Sequence, residues 1–273
     1  RRGVENQIEN IQELVNKGYS IIVFPEGTRS AKFELSRFHK GAFYLAEQLK
    51  LDIQPVVLHG SNLVMPKGDD FYLKNNKTTI KFLPRIRHND ASFGVGYAER
   101  TKKISKHFKA EYNKVRDSVE TPSFFKEIIF KNFLFKGPIL EWYTKVKVSM
   151  EKYYESFHDM IPMDAKITDL GCGYGTMSMA LALSGEKRRI RAIDYDDKKI
   201  KIASECAVVP KNLNFEQGDV LKVAFEQSDI FILSDVIHYL QSDEQKILMK
   251  KMSEHLIDGG KIIIRDGDSE KEK

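Results

Sequence analysis

The sequence predicts an α/β fold in two modest domains, and three observations support this prediction. Helical and strand patterns alternate in the first part of the chain, and a strict strand–helix alternation begins near residue 150. A glycine-containing turn follows a short apolar run in each part. The length of 273 residues suits two such domains better than one.

The composition argues against a membrane-spanning, a disulfide-stabilised or a metal-binding protein. The apolar content is ordinary, the net charge of +5 is small for this length, and no stretch approaches membrane-spanning length, which indicates a globular chain, soluble or associated with a surface. The two cysteines, Cys172 and Cys206, are too few for a disulfide scaffold and favour a reducing compartment such as the cytoplasm. No metal-ligand spacing of Cys and His occurs, so no metal site is predicted.

The first residues, Arg1 to Gly3, are not followed by the apolar core of a signal peptide. The chain also does not begin with Met. We therefore expect it to be a piece of a longer protein.

The first part, residues 1–120, predicts a β-α-β unit made of strand Tyr19–Phe24, helix Gly41–Leu49 and strand Ile53–Leu58. An amphipathic helix precedes this unit, and Gly18 is placed to end it. A third strand, Thr78–Leu83, and a charged amphipathic helix over residues 98–117 complete the part.

The first turn, "PEGTRS", follows the apolar run of residues 21–24 and carries both signs of charge. Arg29 is a planar donor fork suited to a phosphate or carboxylate. Gly27 permits a sharp turn that admits a ligand, and Glu26 would accept a hydroxyl hydrogen bond or hold Arg29 in place. A surface Glu–Arg pair explains the turn almost as well on physical grounds alone.

The string "FPEGTRS" resembles the third sequence block of the glycerolphosphate and lysophospholipid acyltransferases. The strings "FHKGAF" and "IQPVVLHG" then occur in the order of that family, so the resemblance covers roughly residues 4–117. It implies an acyl donor thioester and a lysophospholipid-like acceptor as partners. It also implies that four residues line the site for the glycerol-phosphate of the acceptor, namely Glu26, Gly27, Thr28 and Arg29. Lys40 would add positive charge there, or is simply solvated.

One part of the family pattern is missing. These enzymes carry a His-x4-Asp box upstream of this block, in which the histidine is the general base, and the segment Arg1–Ser20 contains no histidine. A literal match, His238 to Asp243, lies downstream and is interpreted as coincidence. We therefore expect the C-terminal part of an acyltransferase domain that binds an acceptor but does not transfer acyl groups by itself.

Residues 121–150 form a basic aromatic connector, in which five lysines are offset only by Glu127 and Glu141. Basic residues interleaved with aromatic ones are typical of a membrane interface. Aromatic residues at helical spacing are more often core, so a helix that packs on a neighbouring domain is the favoured interpretation. The apolar residues concerned are Phe124, Phe125, Ile128, Ile129, Phe130, Phe133, Leu134 and Phe135.

Residues 151–273 alternate strictly between strands and helices, which implies a parallel sheet covered on both faces. The last strand is expected at the edge of the sheet, and "DGDSEKEK", from Asp266 onward, reads as a solvated tail. The predicted strands are Ile167–Leu170, Arg191–Asp194, Leu213–Gln217, Ile230–Ser234 and Lys261–Arg265, with helices at Lys198–Ala207 and Glu244–Leu256 among those between them.

The second turn, "DLGCGYG", places Asp169 before three glycines at the end of a strand. Its carboxylate would repel a pyrophosphate but not the cationic cofactor S-adenosylmethionine. Asp194, at the end of the second strand, is placed to bind both ribose hydroxyls, and Asp219 in "QGDV" lies where an adenine amino group is expected. Asp196 could take the place of Asp194, but we expect it to cap the next helix.

Together these motifs resemble the class I S-adenosylmethionine-dependent methyltransferases over about residues 150–266. The resemblance implies a Rossmann-like domain that is truncated here after strand five, since the family's sheet normally has two more strands. It carries six residues into cofactor-binding roles, namely Asp169, Gly171, Gly173, Gly175, Asp194 and Asp219. Cys172 is interpreted as a small packing residue rather than a nucleophile.

"SDVIHYL", residues 234–240, follows the fourth strand of the second part, where the methyl group would meet its acceptor. His238 is a candidate catalytic base for a hydroxyl acceptor, or a packed residue at a helix start. Tyr239 is a candidate for the pocket wall. Methyl transfer needs chiefly alignment and proximity, so a base is not required, and the methyl acceptor is not specified.

The order of the parts predicts a fragment of a bifunctional enzyme that transfers methyl and acyl groups in phospholipid metabolism. The alternative is a methyltransferase served by a non-catalytic lipid-binding or docking remnant of an acyltransferase. Either protein would lie in the cytoplasm, with a membrane surface as a partner reached through the connector or through the rest of the parent protein. The modest charge and the lack of an "NPPY"-like run argue against a nucleic-acid partner.

Overall fold

The computed structural model describes residues 2–30, 34–65, 67, 77–150 and 153–267. The chain divides into two units, Arg1–Val119 and Glu120–Lys273. Among the described residues, no helix combines the length and the apolar character needed to cross a bilayer.

The first unit has its core on one face of its longest helix. Ile104, Tyr112 and Val115 of this helix are buried and contact Val57 and Phe43, among other residues of the unit. The predicted helices are confirmed, with small shifts of their ends. The elements are α1 (Arg2–Asn16), α2 (Gly41–Gln48), β1 (Val56–His59), α3 (Ser61–Val64), β2 (Thr79–Phe82), a 3-10 turn (Ala91–Phe93) and α4 (Tyr97–Val119).

The predicted strand Tyr19–Phe24 is wrong. These residues form no β-ladder in the described part of the chain, and Ile22 and Phe24 are 84% and 72% exposed. The predicted β-α-β unit is therefore also wrong, because its first strand does not form. Its second strand, β1, instead pairs antiparallel with β2, with Val56 opposite Phe82. A strand is stable only where neighbouring backbone takes up its N–H and C=O groups, and an apolar sequence does not supply that neighbour.

The connector folds as part of the second unit. Phe125, Ile129 and Phe133 are at most 2% exposed, which agrees with the packing interpretation for this face. The Asn132 amide donates to the Val208 carbonyl oxygen (2.8 Å) and accepts from the Val208 N–H (2.9 Å). The helices here are α5 (Lys126–Asn132), α6 (Pro138–Met150) and α7 (Tyr153–Met160).

The second unit is built on a five-stranded parallel sheet in the order β5-β4-β3-β6-β7. All five predicted strands are confirmed, and the last one lies at the edge of this sheet, as expected. The strands are β3 (Lys166–Leu170), β4 (Arg189–Asp194), β5 (Leu213–Gln217), β6 (Ser228–Ser234) and β7 (Leu256–Arg265), and the helices among them are α8 (Thr176–Leu183), α9 (Asp197–Ser204) and α10 (Ser242–Glu254).

The strand order places the candidate site. The first strand of the unit, β3, is central, and the chain leaves it toward β4 on one side and β6 on the other. Loops at the carboxyl ends of parallel strands lie at one edge of the sheet, and the crevice of an open α/β sheet opens where the strand order reverses. The glycine turn after β3 lies at this point.

Candidate functional site

The glycine turn between β3 and α8 uses its own N–H groups to bind the neighbouring strand. The N–H groups of Gly171 and Cys172 donate to the Ile193 carbonyl oxygen (2.7 and 2.9 Å). The Gly173 N–H donates to the carboxylate of Asp194 (2.7 Å), and the Gly175 N–H donates to the Cys172 carbonyl oxygen (2.9 Å). The turn is therefore fixed to the end of β4 by hydrogen bonds from successive residues.

The three glycines of this turn have positive φ values, but they differ in what surrounds them. A Cβ atom on Gly171 would lie 2.3 Å from a methyl group of Val236, and one on Gly175 would lie 2.2 Å from the ring of Phe215. Nothing lies within 4 Å of a Cβ position on Gly173. Gly171 and Gly175 therefore allow close packing, whereas the open side of the turn is at Gly173.

Asp194 ends β4 beside this open side and is 8% exposed. One carboxylate oxygen accepts from Gly173, and the other accepts from the N–H of Asp196 (2.9 Å). A carboxylate oxygen has a second lone pair, so both oxygens can also accept from a ligand hydroxyl. The ribose contact of Asp194 stays a prediction.

Asp169 lies below the surface, at the end of β3. It is 2% exposed, and its carboxylate accepts a short hydrogen bond from the Ser178 hydroxyl on α8. Burial raises the pKa of Asp169 to about 6, opposed by the Ser178 hydrogen bond and increased further by the charge of Asp194. The base of the turn is therefore an environment in which a nearby positive charge is favourable.

Asp219 follows β5 and forms a turn of its own. Its carboxylate accepts from the Leu221 N–H (3.0 Å) and pairs with Lys222 (3.2 Å). The Leu221 hydrogen bond lowers the pKa of Asp219, burial opposes this, and Lys222 lowers the pKa further. The Gly218 N–H donates to the Asp194 carbonyl oxygen (2.9 Å), so the residue before Asp219 is joined to the end of β4.

Two minor predictions from the same segment can be compared with the structure. The Asp196 carboxylate accepts from the N–H groups of Lys198 and Lys199, so it caps α9 as predicted. Burial, with the charges of Asp169 and Asp194, raises the pKa of the Cys172 thiol well above its ordinary value. Cys172 is thus a neutral thiol at physiological pH, which fits a packing residue.

His238 lies in a 3-10 turn after β6 and has a carboxylate partner that the sequence did not indicate. Its Nδ1 is 2.6 Å from an oxygen of Asp266, and its backbone N–H donates to the other oxygen (3.3 Å). Burial raises the pKa of Asp266, but the hydrogen bonds from His238 and Gly267 lower it more, so the net shift is downward. Asp266 is therefore a built part of this edge, and the prediction of a solvated tail is wrong at this residue.

The same edge carries an ion cluster that sequence reasoning missed. Asp235 has a φ of 57°, which is unusual for a residue other than glycine, and its carboxylate pairs with Arg265 of β7 (2.5 Å) and Lys147 of α6 (3.0 Å). The Arg265 guanidinium lies 4.2 Å from the centre of the Tyr153 ring. Strained residues of this kind cluster at functional sites.

The helix α6 contacts the glycine turn. The ring of Tyr143 on α6 is 5.9 Å from the ring of Tyr174 in the turn, centre to centre. Phe133 contacts Tyr174 from the other end of the connector (6.5 Å), and the Lys199 amine lies 5.9 Å from the Tyr174 ring centre. Aromatic contacts and the Lys147–Asp235 pair thus hold α6 over the candidate site.

Tyr239 is 77% exposed, and its ring lies 4.0 Å from the His238 ring, centre to centre. It is positioned to form a wall beside His238. No polar pattern in the sequence marked Ser178, Asp235 or Asp266 as members of the site. Asp235 and Asp266 follow β6 and β7, so the sheet places them side by side, and Ser178 reaches Asp169 from α8.

The turn of the first unit is held by loop backbone. The Gly27 N–H donates to the Phe24 carbonyl oxygen (3.0 Å), and the His39 N–H donates to the Pro25 carbonyl oxygen (2.7 Å). The Glu26 carboxylate accepts from the Ser36 N–H (2.6 Å). A Cβ atom on Gly27, whose φ is 72°, would lie 3.2 Å from the His39 ring. Glu26 thus supports the turn by a backbone contact.

Arg29 is exposed on this turn, and its Nη1 is 3.5 Å from the Met65 carbonyl oxygen, the limit of a hydrogen bond. Thr28 is also exposed, as are three basic side chains in the segment that packs against the turn, Arg37, His39 and Lys40. The turn therefore offers an exposed, positively charged surface.

The geometry of the second unit is that of an α/β domain with a ligand crevice at the switch point of a parallel sheet. Comparison with known families shows which kind of α/β domain it resembles. Residues 167–260 match the family model described as a methyltransferase domain, and residues 1–59 match the family model described as acyltransferase. The chain therefore combines a region similar to acyltransferases with a region similar to methyltransferase domains, as predicted.

Curated relatives agree with this division. A 1-acyl-sn-glycerol-3-phosphate acyltransferase of Limnanthes alba is 38% identical over 87 residues, which are 32% of this chain and 31% of that protein. An uncharacterized methyltransferase of Staphylococcus carnosus (strain TM300) is 28% identical over 149 residues, 51% of this chain and 69% of that protein. The chain spans between about a fifth and a third of the length of the acyltransferases it matches.

Among solved structures, a TehB-like SAM-dependent methyltransferase from Corynebacterium glutamicum is 20% identical, with a TM-score of 0.40. The match covers 49% of this chain and 75% of that one.

Proposed function

We propose that the second unit binds S-adenosylmethionine at the glycine turn and transfers its methyl group to an acceptor at the carboxyl edge of the sheet. The proposal rests mainly on the hydrogen bonds that the N–H groups of the turn donate within the protein. Gly171, Cys172 and Gly173 donate to Ile193 and Asp194, which belong to the protein itself.

The pyrophosphate of a dinucleotide would need hydrogen bonds from these backbone N–H groups. Phosphate-binding turns point free backbone N–H groups at the anion, and here the Gly173 N–H is occupied by the Asp194 carboxylate. Asp194 and the buried Asp169 instead favour a cation, such as the sulfonium and ammonium groups of S-adenosylmethionine. Asp194 would also accept hydrogen bonds from the ribose hydroxyls, and Asp219 would lie near the adenine amino group.

Calorimetric titration of the chain with S-adenosylmethionine tests this proposal. Asp194→Ala removes charge-assisted hydrogen bonds that contribute roughly 1.5–3 kcal/mol, so affinity should fall by a factor of about ten to one hundred. Asp197→Ala is the matched control, because Asp197 is an exposed acid in the first turn of α9, close in sequence to Asp194. Wild-type affinity in Asp194→Ala, or preference for NAD, would contradict the proposal.

We further propose that His238 is the catalytic base when the methyl acceptor is a hydroxyl group. Its Nδ1 is engaged by Asp266, which favours the tautomer with Nε2 unprotonated and orients the ring. Nε2 then accepts the hydroxyl proton as the oxygen attacks the methyl group.

The split between kcat and cofactor affinity distinguishes this role from packing. His238→Gln should lower kcat for a hydroxyl acceptor by a factor of about one hundred or more, the usual contribution of a general base. Asp266→Asn should lower kcat less, because Nε2 remains while the carboxylate that orients the ring is lost. S-adenosylmethionine affinity should be unchanged in both variants. A wild-type kcat in His238→Gln would show that methyl transfer here proceeds without this base.

For the first unit, we propose that the exposed basic turn binds the phosphate of a lysophospholipid-like acceptor. Arg29 is the bidentate donor, Gly27 admits the ligand, and Thr28 and Glu26 lie beside it. An acyl thioester is the donor used by the complete acyltransferase site, to which this turn contributes the acceptor half. Acyl transfer is not expected from the residues of this turn alone.

Binding of glycerol 3-phosphate should be weak and salt-sensitive, and Arg29→Ala should remove it, because lysine or water cannot replace a planar fork. Lys109→Ala, which removes one exposed positive charge from α4, should leave it unchanged. Acyl transfer from a thioester by this chain would show that a base has been overlooked. Equal binding by the two variants would show that only net charge matters.

The acceptor chemistry of the first unit also leads us to propose that the protein works at a membrane surface in the cytoplasm. Lysophospholipids are held in membranes, so an enzyme that takes them as acceptors must approach a bilayer.

A further inference from the structure

The helix α6 has two faces with different surroundings. Leu140 and Thr144 are 8% and 0% exposed, whereas Ile139 and Trp142, on the opposite side, are 84% and 67% exposed. Phe135, in the turn before the helix, is 96% exposed. Ile139 and Trp142 are three residues apart in α6, so they are neighbours on the helix surface, and Phe135 adds a third exposed apolar side chain just before the helix. We name these three residues the α6 stripe.

The fold holds the α6 stripe outward. Phe135 has a φ of 64°, a left-handed conformation that is disfavoured for residues other than glycine. Its N–H donates to the carboxylate of Glu141 on α6 (2.7 Å), which maintains this conformation. A large exposed apolar group of this kind marks an interaction surface rather than a feature of a chain that is fully solvated.

The charges around the α6 stripe identify what covers it. Lys131 and Lys145 are exposed, and Lys145 lies three residues from Trp142, on the same side of the helix. Glu141, the one acid in the sequence of α6, is engaged by Phe135. A second copy of the chain would bring lysines against lysines. Aromatic and aliphatic side chains flanked by lysines are instead the composition of helices that lie in the interface of an anionic bilayer.

We propose that the α6 stripe docks the second unit on an anionic lipid bilayer. The inner face of the same helix contacts the candidate methyltransferase site, through Tyr143 against Tyr174 and through Lys147 against Asp235. A docked bilayer would therefore lie about 10 Å, one helix diameter, from the glycine turn. It follows, resting on the proposed function, that the methyl acceptor is an amphiphile held in the membrane.

Trp142 is the single tryptophan of the chain and reports on this surface directly. Its fluorescence is measured while vesicles are added to the full chain, either phosphatidylcholine mixed with phosphatidylglycerol or phosphatidylcholine alone. With the anionic vesicles, the emission should move to shorter wavelength and be quenched by brominated acyl chains. Binding to the neutral vesicles should be at least about tenfold weaker.

Substitutions in the α6 stripe should weaken this binding. Ile139→Ser should lower the partition coefficient by about tenfold, since burial of one large aliphatic side chain is lost. Lys145→Glu should lower it by about tenfold on anionic vesicles only. Ile247→Ser is the matched control, because Ile247 is 58% exposed on α10 of the same unit and should not matter.

Unchanged Trp142 emission and no co-sedimentation with anionic vesicles would overturn the proposal. So would an equal loss of binding in Ile247→Ser and Ile139→Ser, or an emission shift that depends on protein concentration without lipid, which would indicate a second copy as the occupant. Titration of the wild-type chain with S-adenosylmethionine separates the two proposals. If the wild-type chain binds the cofactor but not the anionic vesicles, only the docking surface is wrong, and if it also fails to bind the cofactor, the methyltransferase assignment is wrong.

Discussion

The apolar runs that precede the two glycine turns have different surroundings. The run at residues 21–24 pairs with no strand in the described part of the chain, and Ile22 is 84% exposed. The run in β3 pairs with β4 on one side and β6 on the other, and Ile167 and Leu170 are fully buried. The comparison shows that two neighbouring strands, rather than apolar composition, make the second run a strand.

The turns themselves differ in the same way. In the second unit, the turn's N–H groups bind the end of a neighbouring strand, at Ile193 and Asp194. In the first unit, the turn is held by loop residues, through Ser36 against Glu26 and His39 against Pro25. A turn held by a sheet should be rigid and intolerant of substitution, whereas one held by a loop should tolerate change.

The largest effect is expected at Gly175. Gly175→Ala places a Cβ atom against the Phe215 ring and adds a disfavoured φ, so it should lower the free energy of unfolding by about 4 kcal/mol. Gly259→Ala, with a φ of 76° and nothing within 4 Å of the Cβ position, should cost only about 1 kcal/mol. Urea unfolding followed by Trp142 fluorescence measures both. Similar losses in the two variants would show that Phe215 moves aside.

Removal of apolar side chains tests the two runs directly. Ile167→Ala should lower the free energy of unfolding by about 3 kcal/mol, because a fully buried side chain leaves a cavity. Ile22→Ala should change it by less than about 0.5 kcal/mol, since that side chain is already in solvent. Thermal unfolding of the full chain followed by circular dichroism compares them. A loss above about 1 kcal/mol in Ile22→Ala would mean that residues 21–24 are packed in solution.

The third prediction concerns the buried carboxylate that only the second turn has. The pKa of Asp169 is raised from 3.8 to about 6 by burial, so the folded state holds the proton more tightly than the unfolded state. The resulting stabilisation is complete below about pH 4 and is lost as the pH rises through about 6. Relative to Asp169→Asn, wild type should lose up to about 3 kcal/mol over this interval.

The difference between the two proteins is the quantity to measure, by urea unfolding at a series of pH values without cofactor. Burial and the neighbouring Arg188 lower the pKa of His158, which adds a slope of opposite sign that is common to both proteins and cancels. Parallel curves for wild type and Asp169→Asn would show that Asp169 is not held in an apolar environment.

Much of the second unit was predictable because its signals are local. Apolar runs such as the one at Ile230–Ser234, separated by amphipathic helices, suffice to predict a parallel sheet. Asp196 predicts the start of a helix because its own side chain can cap the helix N-terminus. The first unit was harder to predict. The pairing of Val56 with Phe82 is antiparallel, and nothing in either apolar run specifies the direction of its partner.

The connector, residues 121–150, was predictable in one respect and not in another. Its spacing predicted a packed helix, and Ile129 and Phe133 are indeed buried. Phe135 and Trp142 have the same character in the sequence, yet they face solvent, since which side of a helix is covered depends on the elements packed against it.

The sequence by itself determined the class of protein to which each part is similar. The signals are short motifs, namely the "FPEGTRS" string, the glycine turn and the acidic residues at strand ends. The chemistry of such a motif depends on residues that are adjacent in the sequence, so it can be predicted without the fold. The tertiary structure alone decided which distant groups meet. The contacts of His238 with Asp266, of Asp235 with Lys147 and of Asp169 with Ser178 join residues from different elements. The physical reason is that a parallel sheet gathers strand ends from distant parts of the chain at one edge, where side chains far apart in the sequence come within hydrogen-bonding distance.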